Sequence, residues 1–296
     1  MTRDPSHNIL FEMLHSFVTL SKTLNLSMAV KQLGSTRQTV KRHISILEKA
    51  KGYPLFELVD RRYQLTEDGA RSLKEAENIL FRGEAWLAGN SDHADGLEFI
   101  RQDGNQGHSY YSQQHKMNRL WSDGPLLLQQ GFDCWSAAHG AIESSKMAPV
   151  RPYLLIYRPN GNQWHCTEIG EKSAYSIWLG WEWVKSSIGL PAHETAVDLQ
   201  SYNYIERAYS DIINQGGVRL DHVYRKASRK NGEAPTSVTF QRLLFSCIFP
   251  DGSPAIGSLI AMSNNIDIPG LDSKAAASMP NSLLSEFTSK LRISTK

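Results

Sequence analysis

The fold of the N-terminal half is decided by residues Phe17–Gly69, which read FVTLSKTLNLSMAVKQLGSTRQTVKRHISILEKAKGYPLFELVDRRYQLTEDG. Apolar residues recur at helical spacing through most of this stretch. Ser27 predicts the start of the second helix and Gly34 predicts its end, because these residue types cap helices. The pattern therefore predicts three helices, with a tight turn before the third, followed by a short basic hairpin.

The third predicted helix has an apolar face and a cationic face. Val40, Ile44 and Leu47 lie at helical spacing and form the inward face. The outward side chains are of the types that contact base edges and phosphates. We predict DNA contacts from Thr36, Arg37, Gln38, Thr39, Lys41, Arg42, Ser45, Lys49, Arg61 and Arg62. Residues 35–62 hold seven cations and three acids, a larger excess than the +2 of the whole chain.

The order of residues in this stretch resembles the winged helix-turn-helix of LysR-type transcriptional regulators. The resemblance covers roughly residues 10–90 and rests on Ala29, Leu33, Ile44, Leu47, Glu48, Gly52, Leu55, Phe56, Arg61, Leu65, Thr66 and Gly69. It implies a DNA-binding domain at residues 1–65 and a regulator that binds double-stranded DNA as a homodimer, with a tetramer as the larger option.

Four positions depart from the pattern of that family. Arg37 and Gln38 stand where the family commonly has Gln-Pro, Lys41 replaces its usual Ser, and Leu58 replaces an Arg in the wing. Arg37 suits a bidentate contact with guanine. We therefore expect this chain to recognise a different operator sequence, with Arg37, Gln38, Thr39 and Lys41 nearest the bases. Backbone contacts are expected from Arg42, Lys49, Arg61 and Arg62.

A long helix is predicted over residues 66–90. Thr66 is a good N-cap, and an apolar stripe recurs at +3 and +4 positions. Its members are Leu73, Ala76, Leu80, Gly83 and Leu87. The equivalent helix of LysR regulators pairs with its copy in a dimer, so the resemblance implies a dimerisation helix here.

The rest of the chain has a different composition. Residues 91–130 are rich in Gln, Asn, Ser, Gly and His and predict a polar linker. Residues 131–265 predict two strands joined by a turn near 159–162, a further strand over 174–179, a helix over 195–214 and three late strands. Residues 266–296 form a C-terminal tail or helix. The sequence thus predicts an α+β multidomain chain whose C-terminal antiparallel sheet resembles a PAS-type sensor domain in its layout.

Two alternatives for the C-terminal half remain open from the sequence. One is the conventional LysR effector domain, which has two α/β lobes. Residues 96–100 resemble the first strand of that domain. The other is a module that binds a partner protein and senses no small molecule. The Trp-rich stretch 178–187 bears on both, since it suits core packing, a ligand pocket or an exposed surface. Candidate ligand-binding residues are Trp178, Trp181, Glu182, Trp183 and Lys185.

Composition and residue spacing also limit the classes of function that this chain can have. Three widely spaced cysteines fit neither a disulfide framework nor a zinc cluster. His93, His108 and His115 are too far apart, and too poorly supported by carboxylates, to predict a metal site. Glycine-rich phosphate loops, nucleophile elbows and metal-ligand spacings are missing, so we expect no enzyme, no cofactor and no metal. No apolar run is long enough to span a membrane. We expect a cytoplasmic protein controlled by a small-molecule effector of unknown identity.

Overall fold

The computed structural model describes residues 10–60, 62–89, 91–94, 97–103, 107–161, 163–195, 199–228, 234–272 and 279–284. The chain divides into two compact units, Met1–Gly89 and Asn90–Lys296. No helix within the described ranges is both long and apolar enough to cross a membrane.

The N-terminal unit consists of four helices and a two-stranded antiparallel hairpin. Its elements are α1 (Leu10–Thr23), α2 (Leu26–Leu33), α3 (Arg37–Lys51), β1 (Phe56–Val59), β2 (Arg62–Leu65) and α4 (Glu67–Leu87). Phe17, Leu20, Ala29, Ile44 and Leu55 are buried at the centre of its core. The three helices followed by a hairpin confirm the fold predicted for this half.

Local capping sets the turn between α2 and α3. Asn25, not the predicted Ser27, caps α2, because its side chain accepts hydrogen bonds from the backbone N–H groups of Ser27 and Met28. Gly34 ends α2 in the left-handed conformation, with φ of 57°. Thr36 then caps α3, since Thr39 N donates to Thr36 Oγ1 over 3.1 Å. These caps fix where α3 begins.

The hairpin is held against α3 and α4 by backbone contacts. Glu48 Oε1 accepts hydrogen bonds from the backbone N–H groups of Leu55 (2.8 Å) and Phe56 (3.3 Å). Thr66 caps α4 and its hydroxyl also donates to Pro54 O over 2.7 Å. A Cβ at Gly69 would lie 2.1 Å from Leu55 O, so only glycine fits there. Residues that carry the LysR resemblance, such as Glu48, Thr66 and Gly69, thus hold α3, α4 and the β1–β2 hairpin, which is the wing, together.

Helix α4 packs on α1 instead of standing apart as a linker. Ala76 and Leu80 are buried in the N-terminal core, Leu73 packs against it, and a Cβ at Gly83 would meet the ring of Phe11. Most of the predicted dimerisation stripe therefore faces the same chain. The exposed apolar residues of α4 are Ile79, Trp86 and Leu87, with Trp86 66% exposed.

The C-terminal unit is built on one eight-stranded sheet. Its strands are β3 (Ser91–Ala94), β4 (Leu97–Asp103), β5 (Ser109–His115), β6 (Leu154–Asn160), β7 (Gln163–Ile169), β8 (Val218–Ala227), β9 (Thr236–Ile248) and β10 (Pro254–Met262). They lie in the order β3-β4-β5-β8-β9-β10-β6-β7, and every pair is antiparallel. This confirms an antiparallel-sheet domain and contradicts the alternative of two conventional α/β lobes.

Within the part of this unit that the structure describes, six α-helices accompany the sheet. They are α5 (Arg119–Ser122), α6 (Leu126–Ala137), α7 (Ala174–Leu179), α8 (Trp181–Ser187), α9 (Ala192–Thr195) and α10 (Leu199–Gln215). The larger apolar core lies where α6 packs on the sheet, with Leu128, Leu154, Leu220, Leu243 and Leu259 fully buried. Strands β6 to β10 and helix α10 confirm the first two strands, the helix and the three late strands predicted for residues 131–265.

Two sequence predictions for this unit are wrong. Residues 91–130 are not a polar linker, because they supply β3, β4 and β5 of the sheet together with α5. Polar residues such as Glu98, Ser112 and Gln113 are buried there, so composition suggested a solvated segment. Residues 174–179 are helical, not extended, since the Ser173 hydroxyl caps α7 by accepting from Ser176 N over 3.2 Å.

Buried charges cross the sheet on the side opposite α6. Asp221 is fully buried and accepts hydrogen bonds from Arg219 Nε (2.7 Å) and Arg242 Nη2 (2.7 Å). Glu98 bridges Arg219 Nη1 (2.9 Å) and Arg207 Nη1 (3.1 Å) of α10. The two neighbouring arginines hold the pKa of Asp221 below its usual range against the effect of burial. A row of alternating charges is therefore buried on this face, beside apolar residues such as Leu155 and Leu244.

A buried histidine predicts how stability of the C-terminal unit depends on pH. Asp267 N donates to His222 Nδ1 over 2.9 Å, while burial and neighbouring His115 and Arg119 lower the pKa of His222 to about 3. An unfolded histidine titrates near 6.5, so between these values the unfolded state holds more protons. Stability should fall by about 1.4 kcal/mol per pH unit for this proton as pH drops below 6.5. Unfolding of the full chain at pH 7, 6 and 5 tests this, with a shallower slope expected for His222→Gln.

Candidate nucleic-acid interface

Helix α3 presents one solvent-exposed polar face. Arg37, Gln38, Lys41, Arg42, Ser45 and Lys49 are exposed, Thr36 is exposed at its N-cap and Thr39 is half-buried. Val40, Ile44 and Leu47 are buried on the opposite face. The structure thus places the predicted contact residues of α3 together on one surface, which is the arrangement a helix needs in the major groove.

Arg37 is held in place by a contact with α2. Its Nη2 donates to Ser27 Oγ over 2.7 Å, across ten positions of sequence. The helical pattern predicts Ser27 as an N-cap, but in the structure its hydroxyl accepts the hydrogen bond from Arg37 instead. A guanidinium held in this way is partly ordered before it meets a base, which lowers the entropic cost of recognition.

A second polar residue fixes the back of α3. His43 is buried and its Nδ1 is hydrogen-bonded to Ser16 Oγ of α1 over 2.8 Å. Burial lowers the pKa of His43, with a contribution from Arg42. Sequence reasoning missed this residue, although its spacing from Val40 and Leu47 was available as a signal. The contact ties the recognition face to the first helix.

The wing adds a further cation and two exposed apolar residues. Arg62 is exposed on β2, while Arg61 lies outside the described residues. Leu58 and Val59 are exposed on β1, so the position where the LysR pattern has an Arg carries an apolar side chain in solvent. Asp60 turns the hairpin with a positive φ of 49°.

The Trp-rich stretch does not form a single site. Trp178 is 2% exposed, Trp181 is 47% exposed and Trp183 is half-buried. Tyr175 lies between two of them, with its ring centre 6.2 Å from that of Trp178 and 5.9 Å from that of Trp183. Glu182 is exposed, and Lys185 Nζ lies 5.8 Å from the ring centre of Trp181. The five candidate ligand-binding residues are therefore split between core and surface.

A partly apolar cleft of about 360 Å³ opens elsewhere in the C-terminal unit. Leu127, Tyr153, Ile177 and Met262 are among its lining residues, and none of the five candidate residues is. Across the ranges that the structure describes, no group of three or more His, Cys, Asp or Glu side chains is arranged to hold a metal ion.

Comparison with known proteins connects the N-terminal unit to one family. Residues 11–70 match the family model described as bacterial regulatory helix-turn-helix protein, lysR family. An uncharacterized HTH-type transcriptional regulator of Methanocaldococcus jannaschii is 42% identical over 65 residues, which is 22% of this chain and 22% of that protein. The match thus spans about a fifth of the curated relative.

Solved structures are similar over about a quarter of the chain. The complex of the CbnR DNA-binding domain with DNA is 29% identical, covering 27% of this chain and 88% of that chain, with a TM-score of 0.25. The oxidized form of OxyR from Corynebacterium glutamicum is 23% identical, covering 28% of this chain and 26% of that chain, with a TM-score of 0.26.

Proposed function

Because residues 11–70 form a LysR-type helix-turn-helix domain, we propose that this chain is a transcriptional regulator that binds a specific DNA sequence. The observation that carries the proposal is the polar face of α3, on which Arg37, Lys41 and Arg42 are exposed to solvent. The regulator acts in the cytoplasm and performs no catalysis of its own.

The proposed active form is a homodimer on an inverted repeat, and a tetramer is the larger form. One α3 enters the major groove at each half-site, and the cations beside it neutralise phosphates. Ile79, Trp86 and Leu87 support this form, because they leave an apolar strip of α4 exposed. The dimer contact would cover this strip, which differs from the stripe first expected from the sequence.

The C-terminal unit is proposed to act as a sensor that controls DNA binding through a small molecule. Its layout of two strands, helices and three late strands supports a PAS-like role, and its three N-terminal strands extend that sheet. A partner-binding module is the second candidate. The exposed apolar residues Ile177, Trp181, Ile188 and Leu190 favour it. Protection of Trp181 from iodide quenching on adding a partner protein would support that role.

Selection of random duplex DNA against the purified full chain tests the proposed function. The bound pool is sequenced after selection at two salt concentrations. An enriched inverted repeat is the expected result, because the two-fold symmetry of a dimer is repeated in its operator. Binding without an enriched motif at either salt concentration would count against sequence-specific regulation, since phosphate contacts alone give affinity without sequence preference.

Substitution of Arg37 tests whether this side chain recognises a base. Arg37→Ala should relax the preference at one base pair of each half-site, at a cost of about 1–3 kcal/mol on the selected operator. Binding to random DNA should change little. Competition between the selected operator and single-base variants measures this. Ser27→Ala, which removes only the support of the guanidinium, should give a smaller loss at the same base pair. An equal loss of affinity for specific and random DNA would show that Arg37 contacts the phosphate backbone of DNA and not a base.

A further inference from the structure

Arg225 is a buried cation that has no hydrogen-bond acceptor and no carboxylate partner among the described residues. It lies on β8 with 3% of its surface exposed, and both its Nε and Nη2 are buried without a hydrogen-bond acceptor. Its cross-strand neighbours in the sheet are Tyr110 of β5 and Val238 of β9, neither of which is an acid. A buried charge without a hydrogen-bonded counter-ion is costly, so this position favours an anion.

The other buried arginines of the same strand and its neighbour do have carboxylates. Arg219 and Arg242 share Asp221, and Arg219 also contacts Glu98. Among the described residues, carboxylates therefore pair with the other arginines of this face and none pairs with Arg225. This difference leaves the Nε and Nη2 edge of Arg225 available to an anion that is not part of the sheet.

The two unpaired atoms are those with which an arginine binds a carboxylate side-on. Arg151 shows the arrangement in the same unit, because its Nε donates to Glu168 Oε1 over 2.5 Å and its Nη2 donates to Glu168 Oε2 over 2.6 Å. Arg242 uses its Nε and Nη2 on Asp221 Oδ2. The free edge of Arg225 has the geometry that both of these pairs use.

Two neutral donors are left unsatisfied on the same side of the sheet. Trp178 is buried, its ring centre lies 6.0 Å from Arg225 Cζ, and its Nε1 has no acceptor. The Ser112 hydroxyl is also buried and unpaired. Ser112 pairs with Val223, two residues before Arg225, so its side chain projects from the same face of the sheet. The Arg225 guanidinium, the Trp178 indole N–H and the Ser112 hydroxyl are thus three buried groups on this side of the sheet that can donate hydrogen bonds to a ligand.

We propose that Arg225 and Trp178 bind the carboxylate group of a small organic acid, which is the effector of the C-terminal unit. This inference rests on the proposed function, since it names the chemical class that the sensor recognises. A carboxylate is a planar monoanion that accepts two parallel N–H bonds from one guanidinium. One cation and an indole N–H match that charge better than the double charge of a phosphate group.

Thermal unfolding of the full chain without DNA tests the carboxylate class. The probes are acetate, benzoate and 3-phenylpropionate, each compared with its own primary amide and with inorganic phosphate at equal ionic strength. At least one acid should raise the unfolding temperature by about 5–10 °C when present at about 100 times its Kd, while its amide should not. An acid and its amide acting equally, phosphate acting alone, or no acid acting at all would each overturn the proposal.

Variants of Arg225 separate ligand binding from a structural role. Arg225→Gln should weaken binding of the active acid about 10- to 100-fold, because the charge-assisted bonds are lost. Without ligand, the variant should unfold at the same or a higher temperature, since an unpaired buried charge is removed. The matched control Arg219→Gln breaks paired contacts and should lower that temperature. A lower unfolding temperature for Arg225→Gln, with unchanged acid binding, would show a structural arginine.

A conservative substitution of Trp178 provides a second test, because the variant is expected to remain folded. Trp178→Phe keeps an aromatic ring and removes the indole N–H, so acid binding should weaken while the unfolding temperature stays within a few degrees. Unchanged affinity would remove Trp178 from the site. Wild-type protein that selects an inverted repeat yet responds to no acid would leave the DNA-binding function intact and overturn only this inference.

Discussion

Reversing two cations of α3, in the double variant Lys41→Glu and Arg42→Glu, is expected to abolish specific DNA binding. Both side chains are exposed on the recognition face, so the fold should tolerate the change. The variant loses two cationic contacts with DNA and places two carboxylates against it, which should weaken binding more than about 100-fold at moderate salt. Titration of the selected operator, followed by fluorescence anisotropy, measures the loss.

A control of equal charge change separates local contacts from net charge. Lys146→Glu with Lys172→Glu alters the chain by the same four charges, at exposed positions of the C-terminal unit. This double variant should bind the operator within a few-fold of the wild type, because surface charges beyond about 10 Å from the phosphates are screened at moderate salt. Similar losses in both double variants would show that overall charge, not the α3 face, governs binding.

The second large effect is expected at Asp221, in the middle of the buried charges. Asp221→Asn keeps the shape of the side chain but removes the charge that holds Arg219 and Arg242 at 2.7 Å each. Breaking one partner of a buried ion pair costs about 3–5 kcal/mol, because the remaining charges stay desolvated. Denaturant unfolding of the C-terminal unit, monitored by Trp fluorescence, should show a loss of this size.

Asp251→Asn is the matched control for this substitution. Asp251 lies in the exposed turn between β9 and β10 and pairs with Arg158. An exposed pair contributes about 1 kcal/mol or less, so this variant should remain near wild-type stability. If Asp221→Asn costs no more than Asp251→Asn, the buried row contributes no net stability to the unit.

The N-terminal fold could be predicted because its determinants are local. A helical period and the helix caps at Gly34 and Thr66 depend on residues only a few positions apart, so they can be identified directly in the sequence. The exposed face of α3 followed from the same periodicity. The Arg37–Ser27 and His43–Ser16 bonds could not be predicted, since they join residues that only the packed helices bring together.

The first strands of the C-terminal unit escaped prediction for a physical reason. A half-buried strand is identified by apolar residues on its inner face, but β4 and β5 bury polar residues such as Glu98 and Ser112 there. Partners that make this burial tolerable come from distant segments, as Arg219 does for Glu98. Helix α7 was mistaken for a strand because its six residues are too few to display a helical period.

The order of the strands in the large sheet determines when the chain can fold during synthesis. β5 ends at His115 and hydrogen-bonds to β8, which begins at Val218 and in turn pairs with β9. At a translation rate of about 5–20 residues per second, β5 waits roughly 5–20 s for its neighbour. The helical N-terminal unit has mostly short-range contacts and folds much faster. A nascent chain therefore carries a finished DNA-binding unit before its sheet exists, and β3 to β5 leave the ribosome with one edge open to aggregation or chaperones.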